Sequence, residues 1–92
     1  MTQLVQTNAA EQQALVAYCR ARDVNDFGIF DVRSAAINIW SRPWLSEEDC
    51  RLSECIGTIW LKKDHVELEG QVPIGLIGLQ LALRAKREVV GV

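Results

Sequence analysis

The sequence predicts a mainly α-helical fold, a compact domain of three to four helices. Two observations favour it: apolar side chains recur at helical spacing in three stretches, and each stretch follows a residue type that caps helices. A third observation, an alternating segment later in the chain, leaves open a short β-hairpin near residues 65–74. The 92 residues predict one domain over 1–92, with a loose arm at 1–7 and a frayed tail at 88–92.

The first predicted helix begins at Asn8 and runs to about Arg22. The Asn8 side chain can accept a hydrogen bond from a free backbone N–H group, and Glu11 can complete a capping box. An apolar stripe at helical spacing follows, formed by Ala14, Leu15, Tyr18 and Cys19. This stripe is the expected core-facing side of the helix.

The second predicted helix spans residues 32–40, with Asp31 as its N-cap. Ile29 and Phe30 before it are interpreted as the residues that staple this helix, with a short strand as the alternative. Pro43 disfavours helical geometry at the preceding residue, so the helix should end by Ser41 or Arg42.

The third predicted helix, residues 46–63, has the best-marked ends. Ser46 can cap its first turn, and the acidic residues 47–49 place negative charge at the positive end of the helix dipole. Lys62 and Lys63 suit the other end. The apolar stripe consists of Leu52, Cys55, Ile56, Ile59 and Trp60. This spacing predicts a core helix that buries Cys55 and Trp60.

Residues 65–69 alternate polar and apolar, which is typical of a half-buried strand. Residues 72–74 are either a returning strand or, with Pro73 at its first position, the start of a last helix. Helix-forming residues then continue to Arg87. Over residues 9–74 this order of elements is similar to a winged-helix domain, a resemblance that implies DNA contact by the third helix. The acidic turn at 47–49 opposes that contact, so DNA binding is the second choice.

No catalytic, cofactor or metal motif stands out. Cys50-x4-Cys55 with His65 is a conceivable metal set, but thiols five apart on a helix point in different directions, and structural zinc prefers tight ligand pairs. The glycines at 75 and 78 lack the lysine of a phosphate-binding loop. We therefore expect no catalytic residue, no metal and no cofactor, and a protein that is not an enzyme.

Binding is the function that the composition favours. The net charge of −2 and pI near 5.3 oppose general attraction to nucleic acid, and the N-terminus lacks a signal-peptide pattern, so a cytoplasmic location is expected. The hypothesis is a small protein-binding module, an adaptor, inhibitor or regulator of the kind that phages and mobile elements encode, which forms a homodimer. The candidate residues are Trp40, Arg42 and Trp44 for a protein partner, Leu76, Leu79 and Leu83 for self-association, and Arg84, Lys86 and Arg87 for any nucleic-acid contact.

Overall fold

Within the part of the chain that the structure describes, one long helix packs on one face of a five-stranded antiparallel sheet. The structure is a computed structural model, and it describes residues 2–73, Gly75 and Gly78. The sheet order is β1-β5-β4-β3-β2, and each strand runs antiparallel to its neighbours. The elements are β1 (Gln3–Gln6), α1 (Ala9–Arg20), β2 (Phe30–Val32), β3 (Ala36–Trp40), α2 (Glu47–Leu52), β4 (Cys55–Leu61) and β5 (His65–Gly70).

The prediction of a mainly α-helical domain is wrong. The second predicted helix is instead the hairpin of β2 and β3, and the third ends at Leu52, after which the chain extends as β4. The predicted arm at 1–7 contains β1, and the predicted hairpin at 65–74 is replaced by a hairpin of β4 with β5. Pairing with neighbouring strands thus overrides the helical spacing of the apolar residues.

The winged-helix order of elements is wrong for the same reason. The helix that would read DNA in such a domain is reduced to the six residues of α2, none of which is buried. Residues 55–61, which would form the rest of the recognition helix, are instead β4, the central strand of the sheet. DNA binding therefore loses the element order that suggested it.

Three local predictions are confirmed. Asn8 caps α1 with both hydrogen bonds of a capping box: the Glu11 N–H donates to Asn8 Oδ1 at 2.7 Å, and the Asn8 N–H donates to Glu11 Oε1 at 2.9 Å. Ser46 caps α2 by accepting from the Asp49 N–H at 3.1 Å. The strand predicted over residues 65–69 is present as β5, His65–Gly70. Among the described helices, none is both long and apolar enough to cross a membrane.

The core lies between α1 and the sheet face that α1 covers. Because strand side chains alternate between the two faces, the covered face receives every second residue of each strand. Apolar burial here is the main source of stability in a domain of this size. The core cluster consists of Leu15, Cys19, Phe30, Ile37, Ile39, Ile59, Val66 and Leu68.

Gln12 fixes the start of α1 against the turn between β4 and β5. The two N–H groups of its side-chain amide are shared among three acceptors: the backbone oxygen of Lys62 at 2.7 Å, that of His65 at 3.1 Å, and Thr7 Oγ1 at 2.8 Å. These bonds hold the start of α1 against the covered face of the sheet. The helix does not cover the opposite face.

Candidate protein-binding face

The face of the sheet opposite α1, which we call the open face, carries polar and aromatic side chains. Strand register places them: Leu4 lies opposite Glu67, Glu67 opposite Trp60, and Trp60 opposite Ala36. The neighbouring row joins Glu69, Thr58, Asn38 and Asp31 across four strands. The open face also holds Gln6, Trp40 and His65, by the same alternation.

Trp60 lies on the central strand of the open face and keeps 38% of its surface exposed. Its indole N–H donates to Glu69 Oε2 at 2.8 Å, a diagonal contact between β4 and β5 that fixes the ring. A groove of about 270 Å³ beside the ring is lined partly by Thr58, Glu69 and Gly70. A fixed, exposed tryptophan next to a groove is the arrangement typical of a binding hot spot.

Two carboxylates of β5, Glu67 and Glu69, lie next to Trp60 of β4. Glu67 lies 3.9 Å from the Lys62 ammonium group and 3.5 Å from the His65 imidazole, which is cationic when protonated. Glu69 has no cationic neighbour within the part of the chain that the structure describes, and its carboxylate accepts a hydrogen bond from the indole N–H of Trp60. Negative charge beside Trp60 is therefore concentrated at Glu69.

Trp40 and Trp44 meet at the end of β3. Their ring centroids are 5.3 Å apart and their planes cross at 65°, an edge-to-face contact. Both side chains are half-buried, and neither indole N–H has a hydrogen-bond acceptor among residues 2–73. The two tryptophans predicted to bind a partner are thus one cluster, adjoining the open face through Trp40.

Arg42, the third residue predicted to bind a protein partner, is exposed and contacts Asp49 and Ser53. Its guanidinium lies 3.7 Å from Asp49 Oδ1, and its backbone exchanges hydrogen bonds with the buried Ser53 hydroxyl at 3.0 and 3.4 Å. These contacts tie the segment to α2 and to the residue that follows it. The predicted self-association residues Leu76, Leu79 and Leu83 and the basic residues Arg84, Lys86 and Arg87 lie outside the described residues.

The cysteines occupy three different environments. Cys19 belongs to the core, and burial raises the pKa of its thiol to about 12, so it is a poor nucleophile. Cys50 lies on α2 and Cys55 on β4, both exposed and free. The chain between Cys50 and Cys55 is not one continuous helix, so helical rotation does not determine how the two thiols are separated. Among the described residues, no group of three His, Cys, Asp or Glu side chains is placed to hold a metal ion.

His65 links the open face to the turn between β4 and β5. Its Nδ1 lies 2.8 Å from Asp64 Oδ1, and this hydrogen bond, followed by the one to Glu67, raises the pKa of the imidazole above its usual 6.5. The same bond lowers the pKa of Asp64 below 3.8. The ion pair stabilises the fold most between pH 3.8 and pH 6.5, the ordinary pKa values of the two groups. The stabilisation from His65 is lost as the pH rises through its raised pKa. The stabilisation from Asp64 is lost as the pH falls through its lowered pKa.

We expect Asp64→Asn to lower the pKa of His65 towards 6.5, because it removes the main group that stabilises the imidazolium. The chain has a single histidine, so one imidazole proton resonance followed by NMR from pH 5 to 9 measures this pKa directly. Glu67→Gln serves as the matched comparison and should lower the pKa less. A pKa that stays the same in Asp64→Asn would contradict the contact.

Sequence reasoning missed Trp60, Glu69 and Leu4 as surface candidates. Trp60 was assigned to a core helix, and Leu4 to a loose arm. The available signal was the composition of residues 55–61, where isoleucine, threonine and tryptophan favour a strand and Gly57 disfavours a helix. Comparison with protein-family models, with curated proteins and with solved structures gives no match to this chain.

Proposed function

We propose that this chain is a small protein-binding module, an adaptor, inhibitor or regulator, that holds a protein partner on its open face. The observation that carries the proposal is Trp60, which is exposed at the centre of the sheet and held in place by Glu69 at 2.8 Å. Because its ring is already fixed, little side-chain entropy is lost when a partner covers it. The Trp40–Trp44 cluster extends the aromatic surface at the end of β3.

The charges define the partner's chemistry. Glu69 offers a carboxylate without a cationic neighbour in the described part of the chain, and Glu67 lies beside it on the same face of β5. A matching partner presents an apolar side chain to Trp60 and an arginine or lysine to these carboxylates. We also propose a cytoplasmic location, which suits a chain that exposes two free thiols.

The test is affinity capture from the native host with wild-type protein and two variants, followed by mass spectrometry. Trp60→Ala removes the central ring. Leu52→Ala is the matched control, since Leu52 is another exposed apolar residue, 50% exposed, on α2. We expect a specific protein that wild type and Leu52→Ala retain and Trp60→Ala loses, with retention that weakens as salt is raised. Capture that is the same for all three proteins contradicts the proposal.

A further inference from the structure

The two edges of the sheet differ in how they are protected. At one edge, β2 has only three residues, and its central Asp31 forms an ion pair with Arg33 at 3.0 Å. Short length and charge are the usual means of blocking an edge against further pairing. At the other edge, β1 has the sequence Gln-Leu-Val-Gln, without charge or proline, and pairs with β5 in unbroken register. Within the described residues, no strand pairs with its outer side.

We propose that two copies of this chain pair through β1, antiparallel about a two-fold axis at Leu4, so that their sheets join into one. This pairing uses the edge of the sheet, and it does not depend on what the open face binds.

The hydrogen bonds already made by β1 determine which backbone groups are available. The Thr7 N–H donates to the Asp64 carbonyl at 3.1 Å, one step beyond the pairing of Gln6 with His65. In an antiparallel ladder, residues that bond to one neighbour alternate with residues whose N–H and C=O groups point the other way. Gln3 and Val5 therefore bond to β5, whereas Leu4 and Gln6 direct their backbone groups outwards.

A two-fold axis at Leu4 brings these outward groups together. Leu4 then lies opposite Leu4 of the second copy, and Thr2 lies opposite Gln6 on both sides of the axis. Each of these three pairs can exchange two backbone hydrogen bonds, about six in total. An axis at Val5 would bring together groups that are already bonded to β5, so the register at Leu4 is the favoured one.

Side chains agree with this register. Leu4 is 61% exposed on the open face, and in the dimer the two Leu4 side chains become directly opposed neighbours. The nearest charge along the row is Glu67, one strand further in. The two Glu67 carboxylates are then about three strand spacings, or ~14 Å, apart, beyond the ~8 Å screening length at physiological salt. The contact is neutral, and both open faces lie on the same side of the joined sheet.

Sedimentation velocity between about 1 μM and 1 mM measures the pairing. A contact this small is at the low end of specific interfaces, so we expect the mass to rise from 10.3 kDa towards twice that value with a micromolar to sub-millimolar dissociation constant. Leu4→Pro removes an outward N–H and none of the bonds to β5, so it should give a monomer with an unchanged circular dichroism spectrum. Leu4→Lys should weaken pairing at least tenfold by opposing two charges.

Cross-linking tests the register separately. In a chain with Cys50→Ser and Cys55→Ser, Leu4→Cys should form a disulfide-linked dimer under mild oxidation, because opposed Cα atoms in such a pair are about 5.5 Å apart. Phe27→Cys is the matched control, since Phe27 is 63% exposed and lies away from β1. A monomer at 1 mM overturns the proposal. A dimer that persists in both Leu4→Pro and Leu4→Lys, or a Phe27→Cys dimer that forms equally well, also overturns it.

Discussion

Gly57→Ala is expected to lower the free energy of unfolding by about 3 kcal/mol or more. A Cβ atom at this position would lie 2.4 Å from the carbonyl oxygen of Gln71 and 2.9 Å from its carbonyl carbon. Both are backbone atoms, and the Gln71 N–H donates to the Ile56 carbonyl at 2.9 Å. The added methyl group therefore has to separate the end of β4 from the chain leaving β5, which costs sheet pairing as well as packing.

Urea unfolding followed by circular dichroism measures this loss. Gly75→Ala is the matched control, because a Cβ atom at Gly75 meets nothing within 4 Å. This variant should be as stable as wild type or slightly more stable, since alanine is a better helix former than glycine. If Gly57→Ala is as stable as Gly75→Ala, the close approach of β4 to residue 71 is wrong.

Gly57 also shows why the sequence predicted a helix where the protein forms β4. The register between β3 and β4 shifts after Ile39, which faces Gly57, whereas Trp40 faces Cys55. Ile56 is left as the extra residue of a bulge, and it packs against the core together with the alternating Ile59. A bulge disturbs the two-residue period, and the resulting apolar spacing at 52, 55, 56, 59 and 60 matches a helix as well.

Local chemistry, by contrast, was predictable. The caps at Asn8 and Ser46 depend on residues within one turn, so the sequence determines them without knowledge of the rest of the fold. The regular alternation of residues 65–69 is likewise local and predicts β5. The order of the strands depends on pairing between distant segments, such as β1 with β5, and no local pattern specifies it.

The same limit applies to the candidate site. The sequence places Trp40 and Trp44 only four residues apart, and their indole rings are in contact. This contact is local, so the sequence could indicate it. Trp60 and Glu69 come from different strands, and their contact exists only because β4 pairs with β5. The helix predicted over residues 46–63 buries Trp60 in the core, whereas β4 places it on the open face. A wrong prediction of the secondary structure therefore hides Trp60 as a surface residue.

Ile59→Ala is expected to lower the free energy of unfolding by about 3–4 kcal/mol, because it leaves a cavity at the centre of the core. Ile59 is 1% exposed and lies on the covered face, in register with Ile37 on one side and Leu68 on the other. A domain of this length has a total stability of about 5–14 kcal/mol, so this single change removes a large share of it. Thermal and urea unfolding both report the loss.

Trp60→Ala, at the next residue along β4, is the matched comparison for the loss of stability in Ile59→Ala. On a core helix, residues 59 and 60 belong to one apolar stripe, and both truncations would be severe. On β4 they face opposite sides of the sheet, so Trp60→Ala should cost about 2 kcal/mol, for one hydrogen bond and a partly exposed ring that leaves no cavity in the core. Equal losses at the two positions would contradict the alternation of β4. A larger loss at Ile59 than at Trp60 is the result expected when Ile59 faces the core and Trp60 faces solvent, where its ring is accessible to a partner.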